Sequence, residues 1–165
     1  MAFSKTAPAV GNQISADIVQ LETNFDYMLL GDGTDGQVIR SAYFKVEDGT
    51  TADTIKCTMT DNWNGDAIAA VDNIALTATS GDFTYSANGT VDIAASGLSG
   101  NCVAVLGHEI CYNDSGTVVN ILAYHSSNDI VLSFTNASSG SAVVLYNILN
   151  TSKYITVKIL YLTDA

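Results

Sequence analysis

His108 and Glu109 stand side by side in Gly-His-Glu-Ile-Cys, and an imidazole beside a carboxylate is the pairing from which an acid–base or metal site is built. A metal centre needs three or four converging ligands, and neither His125 nor Cys57, Cys102 and Cys111 stands at a ligand spacing. Neighbouring residues on a strand also point to opposite faces. His108 therefore reads as a structural or surface histidine. Calcium is the one cofactor that the acidic turns bring into view. Asp32-Gly-Thr-Asp35-Gly and Asp61-Asn-Trp-Asn64-Gly-Asp66 both gather oxygen ligands. The calcium loop closes on a bidentate glutamate, but that position is Tyr43 counted from Asp32 and Asp72 counted from Asp61, and Trp63 stands where a ligand belongs. Turn-forming Asp and Gly account for both segments, so no cofactor is assigned and calcium is kept only as an alternative.

Nucleophilic and phosphate chemistry find no foothold. No serine sits in Gly-x-Ser-x-Gly, and no Gly-x-Gly-x-x-Gly or Walker loop occurs. Glycoside cleavage needs two carboxylates paired in space, yet the glutamates are only Glu22, Glu47 and Glu109 and the aspartates fall mostly in turns. The expectation is a non-enzyme. Trp63, the single tryptophan, lies in a polar stretch and is the candidate ligand-binding residue. An exposed indole would stack on a sugar ring, with Tyr43, Tyr85, Tyr112, Tyr124 and Tyr146 as further candidates; the simpler reading is a loop anchor packed on the core.

These residues need a scaffold, and composition points to one. Charged residues make up only 14 % of the 165, and Ser, Thr, Asn and Gly fill the gap, which suits strands and turns better than helices. Hydrophobic residues reach 47 %, enough for one domain with its own core. The net charge is −11, and no Lys or Arg occurs between Lys56 and Lys153. That excludes nucleic acid, whose phosphates need clustered cations, and disfavours an anionic membrane surface. No apolar stretch follows Met-Ala-Phe-Ser-Lys and none is long enough to span a bilayer, so the expected site of synthesis is a cytoplasm, without a signal peptide. The cysteines are expected as buried free thiols, with a 102–111 disulfide as the alternative. The Asn-x-Ser/Thr sequons at Asn88, Asn113, Asn136 and Asn150 then carry no meaning.

Residues 1–11 read as a flexible arm holding Pro8. In 12–36 the pattern changes to a helix and a turn. Ile14, Ile18, Leu21, Phe25 and Met28 follow a 4-3-4-3 spacing, with Asn12 as N-cap and Gly31 as the stop. This seam must be buried either on the chain's own body or against copies of itself; two heptads alone do not decide between them. Val19 and Leu29 widen the stripe, as core packing or a trimer would ask. The rest, 37–165, reads as a mainly β body, an antiparallel β-sandwich or jelly-roll-like fold. Strand candidates are 38–46, 54–60, 73–79, 90–95, 101–106, 108–112, 117–124, 129–134, 142–149 and 153–162, separated by turns such as Asp48-Gly49 and Asn88-Gly89. Residues 61–72 read as a loop with a short helical turn. In the last strand Ile155, Val157, Ile159 and Tyr161 share one face, while Leu160 and Leu162 make the other face apolar as well, as if a neighbour covered it.

Two stretches resemble small virion proteins of tailed bacteriophages, the decoration, head-fibre and tail-fibre subunits. They are Ala-Asp-Ile-Val-Gln-Leu-Glu-Thr-Asn-Phe at 16–25, leading into Gly-Asp-Gly-Thr, and Ile-Thr-Val-Lys-Ile-Leu-Tyr-Leu-Thr-Asp-Ala at 155–165. The resemblance implies a homotrimer in the virion, the N-terminal segment towards other capsid or tail proteins and the β body outward. It carries over no catalytic residue. The alternative is a carbohydrate- or receptor-binding β-sandwich module that takes a host-surface glycan.

Overall fold

A computed structural model describes residues 37–63, 65–113, 118–149 and 153–164. The expected helix, with Ile14, Ile18, Leu21, Phe25 and Met28, and the acidic turn from Asp32 to Asp35 lie outside the described residues.

Ten antiparallel strands form two five-stranded sheets. The first has the order β3 (Ile68–Ala75), β2 (Thr54–Trp63), β1 (Gln37–Asp48), β10 (Tyr154–Asp164), β7 (Cys102–Asn113). The second runs β4 (Ala78–Ser80), β5 (Phe83–Ser86), β6 (Thr90–Ile93), β9 (Asp129–Asn136), β8 (Val119–Ser126). Alternation builds the pair: Ala42, Phe44 and Val46 of β1 and Ile155, Val157, Ile159 and Tyr161 of β10 are buried, with less buried residues between them. The β1–β10 register is unbroken from Gln37↔Asp164 to Glu47↔Tyr154. Both sheets turn these faces into one core, where the rings of Phe44 and Phe83 meet edge-on with centroids 6.1 Å apart. The mainly β sandwich expected from the sequence is therefore the fold. Strands 1–3 and 4–6 each run as consecutive hairpins within one sheet.

Several local expectations are corrected. Residues 61–72 are no long loop: β2 continues through Trp63 and β3 begins at Ile68. The run 73–79 breaks at Leu76–Thr77, where the chain crosses from the first sheet to the second, with Thr77 at φ 64°. The two runs 101–106 and 108–112 are one strand, because Leu106 is an extra residue in its ladder with β10. Phe83–Ser86 is a strand that the sequence did not suggest. Residues 142–149 do not form a strand either. After a single bridge from Ala142 to Thr135, the helical turn α1 (Leu145–Ile148) begins, held where the Leu145 N–H donates to Tyr85 Oη at 2.7 Å. Leu145 and Leu149, one turn apart, are both fully buried while Asn147 between them is exposed, whereas a strand would set all three on one face.

The turn signals fare better. Gly89 joins β5 to β6 at φ +76°, and a Cβ there would come within 2.7 Å of the Phe134 carbonyl oxygen, so glycine is required. All three cysteines are free, Cys57 and Cys102 buried and Cys111 exposed against expectation. Cys102 and Cys111 lie towards opposite ends of the same extended strand, too far apart for a bridge. Burial pushes the Cys57 thiol up, and the Cys102 thiol up to about 11, so both stay protonated.

Candidate self-association surface

β7 is the edge of the first sheet and β8 the edge of the second, and the two lie against each other along one side of the sandwich. β7 pairs with β10 through three irregularities, at Val103, Leu106 and Cys111. Each bulge re-aims its neighbours, and Leu106 is left 50 % exposed. On β8, Ile121 and Ala123 face the core while Leu122 and Tyr124 face out, Leu122 at 56 %. Ile110 and Val118 are exposed as well, Val118 at 73 %. A long strand edge with large apolar side chains is a ready surface for another chain, and proteins usually guard such edges with lysine. None stands here: β7, β8 and β9 lie wholly within the stretch that has no Lys or Arg.

His108 braces this side. It pairs with Ile159 and so points inward, while Glu109 pairs with Lys158 on the outer face, so the two never form a dyad. His108 Nε2 lies 2.8 Å from the Ile121 carbonyl oxygen of β8. A carbonyl only accepts, so Nε2 carries the proton, and the ring ties one sheet to the other. His125 is exposed near the far end of β8.

The other candidates are scattered. Trp63 ends β2 and is 47 % exposed, so it is not a buried anchor. Tyr85 is buried in the core, Tyr43 is half-buried on β1, and Tyr124 is exposed on β8. Tyr146 lines a cleft with Tyr154, which was not among the candidates. The side chain of Tyr112 lies outside the described residues. The outer face of β10 is partly apolar as expected, with Leu162 beside Ile39 of β1, itself exposed. Leu106, Ile110, Val118 and Leu122 were missed as surface residues. The available signal was a run, 117–124, with apolar residues on both parities and no charge.

The acidic segment at 61–66 has a structural use. Asp66 is buried, and its carboxylate accepts from Tyr161 Oη at 2.7 Å, from the Ser99 N–H at 2.8 Å and from Ser99 Oγ. Arg40 Nε donates to Thr163 Oγ1 at 2.8 Å beside it. Desolvation, then the hydrogen bond to Asp66, pushes the Tyr161 phenol up. With its donors supplied by the fold, Asp66 clasps the end of the sandwich where β1 begins. Among the described residues no His, Cys, Asp and Glu converge as a metal set, and no helix is long and apolar enough to cross a membrane.

No protein-family description, curated protein or solved structure matches the chain.

Proposed function

We propose that this protein is a non-enzymatic structural subunit that works as a homotrimer, a capsid decoration or fibre subunit of a phage particle. The observation that carries self-association is the exposure of Leu106 and Ile110 on β7 and of Leu122 and Tyr124 on β8, two edge strands without lysine or arginine. The heptad-spaced residues from Ile14 to Met28 supply a second adhesive element in the same chain. The place in a virion rests on the resemblance at 16–25 and 155–165, which puts the N-terminal segment towards the particle.

Light scattering after size exclusion tests the reading. The expected mass is three times 17.3 kDa, and a single-subunit mass across the micromolar range would overturn it. Removal of residues 1–30 then divides the association between the heptad segment and the sandwich edge. Mass spectrometry of purified particles tests the virion assignment, which fails if the protein is absent from them.

A further inference from the structure

At the end of the sandwich opposite Asp66 lies an open cleft of about 790 Å3 between the β1–β2 loop on one side and Tyr146, Asn147, Lys153 and Tyr154 on the other. Its walls combine two aromatic rings, Tyr146 and Tyr154, with the carboxylates of Glu47, Asp48 and Asp53. Lys45 Nζ sits 4.5 Å from the centre of the Tyr154 ring and 2.8 Å from Glu47 Oε1, so one face of the ring and one carboxylate are fixed by the same ammonium.

The loop forming one wall is held in shape from outside the cleft. The Thr50 N–H donates to Asp72 Oδ1 at 3.1 Å, and the Thr51 N–H to Asn73 Oδ1 at 2.8 Å. Thr54 Oγ1 closes the loop on the Thr51 carbonyl oxygen at 2.6 Å, and the Gly49 N–H on that of Thr54 at 3.0 Å. Asp53 sits at φ 62°, a left-handed conformation that costs an L-residue free energy and is kept where the surroundings over-determine it. A loop so pinned lowers the backbone ordering cost of binding.

We propose that this cleft binds a neutral saccharide. Sugar hydroxyls both donate and accept, and they suit a wall where carboxylate acceptors alternate with the amide of Asn147 and the hydroxyls of Thr50 and Thr51. The tyrosine rings offer the C–H faces of a sugar an apolar surface. An anionic ligand is disfavoured: three carboxylates outnumber Lys45 and Lys153, and Lys45 already lies on Glu47. An apolar ligand is disfavoured by the polar walls. The proposal stands independently of self-association, since the cleft and the β7/β8 edge share no residue.

The test is titration of the full-length protein with cellobiose, maltose, lactose and N,N′-diacetylchitobiose at millimolar concentration, followed by amide chemical shifts. The expected result is saturable shifts at Asp48–Asp53 and Tyr146–Asn147 with at least one of them. Tyr154→Ala should weaken that binding about tenfold or more, a loss of about 1.4 kcal/mol or greater. Asp53→Gly is the second variant, because glycine is at home at its positive φ and the fold is kept; it should also weaken binding. Absence of shifts with every sugar overturns the proposal, as do shifts confined to other residues or affinity unchanged in both variants.

Discussion

The two long sides of the sandwich are finished in opposite ways. On one side β3 and β4 are joined by the Leu76–Thr77 turn; β4 has three residues, and β3 exposes Ala69, Ala70, Asn73 and Ala75. Asp72 and Asn73 tie that side to the β1–β2 loop. On the other side β7 and β8, of twelve and eight residues, expose Leu106, Ile110, Leu122 and Tyr124, and His108 supplies a side-chain tie between them. One side offers a partner little to grip, a three-residue β4 and small exposed side chains on β3. The other exposes large apolar side chains, Leu106 and Ile110 on β7 and Leu122 and Tyr124 on β8. That difference is what the proposed self-association rests on.

Charge placed at the two edges separates them most sharply. Leu106→Lys with Leu122→Lys should reduce the assembly to single subunits in light scattering. Each leucine withdrawn from a buried interface costs about 1.5–3 kcal/mol, so the pair should weaken association by roughly 100-fold or more. Ala70→Lys with Ala75→Lys, on the β3 edge, should leave the mass unchanged. If both pairs behave alike, the two edges do not differ in function.

The ties should differ less, and in kind. Asn73→Ala removes the acceptor for the Thr51 N–H and Thr50 Oγ1, and it places alanine at φ 61°. The hydrogen bonds are worth about 1 kcal/mol each and the left-handed conformation costs about 1 more, so a loss of about 3 kcal/mol is expected in urea unfolding. His108→Ala removes one hydrogen bond, about 1 kcal/mol. Because that bond braces the proposed associating edge, its cost should be largest in concentrated protein and shrink towards the single hydrogen bond on dilution, whereas that of Asn73→Ala should not change. Unfolding midpoints of both variants at two protein concentrations decide the matter.

How far this contrast was legible in the sequence depends on what each residue's role required. Strict alternation made β10 and β1 plain, because one buried face imposes a period of two. Asn88-Gly89 marked its turn, since only glycine fits at Gly89. The opposite edge is hidden because a bulge shifts parity: Leu106 looks like a core residue in Val-Ala-Val-Leu until an extra residue turns it outward. Leu145 and Leu149 misled in the other direction, as a short apolar run suits a strand and a buried helical turn equally. The cleft was invisible, since it joins residues near 50 to residues near 150 and no local pattern announces it.

The smallest expected effect is a difference in acid response between the two sides. Asp72 is held below its ordinary 3.8, first by the hydrogen bond from the Thr50 backbone. Its contribution to stability is present above the unfolded value and fades as pH falls through the folded one. Asp92 lies on the outer face of the second sheet, in the row Asp92–Val131–Tyr124 that leads to the β8 edge. Its Oδ1 has no partner among the described residues, and desolvation, with the charge of Asp129 adding to it, holds it above 3.8. The native state then binds the proton more tightly than the unfolded chain, so stability falls as pH rises from the unfolded value through the folded one. Asp92→Asn should therefore raise the unfolding free energy at neutral pH, by only about a few tenths of a kcal/mol because the rest of the side chain is partly exposed and screened by solvent. The gain should vanish below the unfolded value. Asp72→Asn should do the reverse, with a loss at neutral pH that shrinks in acid. A partner lying over Tyr124 would desolvate Asp92 further, so the gain from Asp92→Asn should be larger in the assembled protein than in the Leu106→Lys, Leu122→Lys background. Equal gains in both would mean that the covered surface ends short of the Asp92 row.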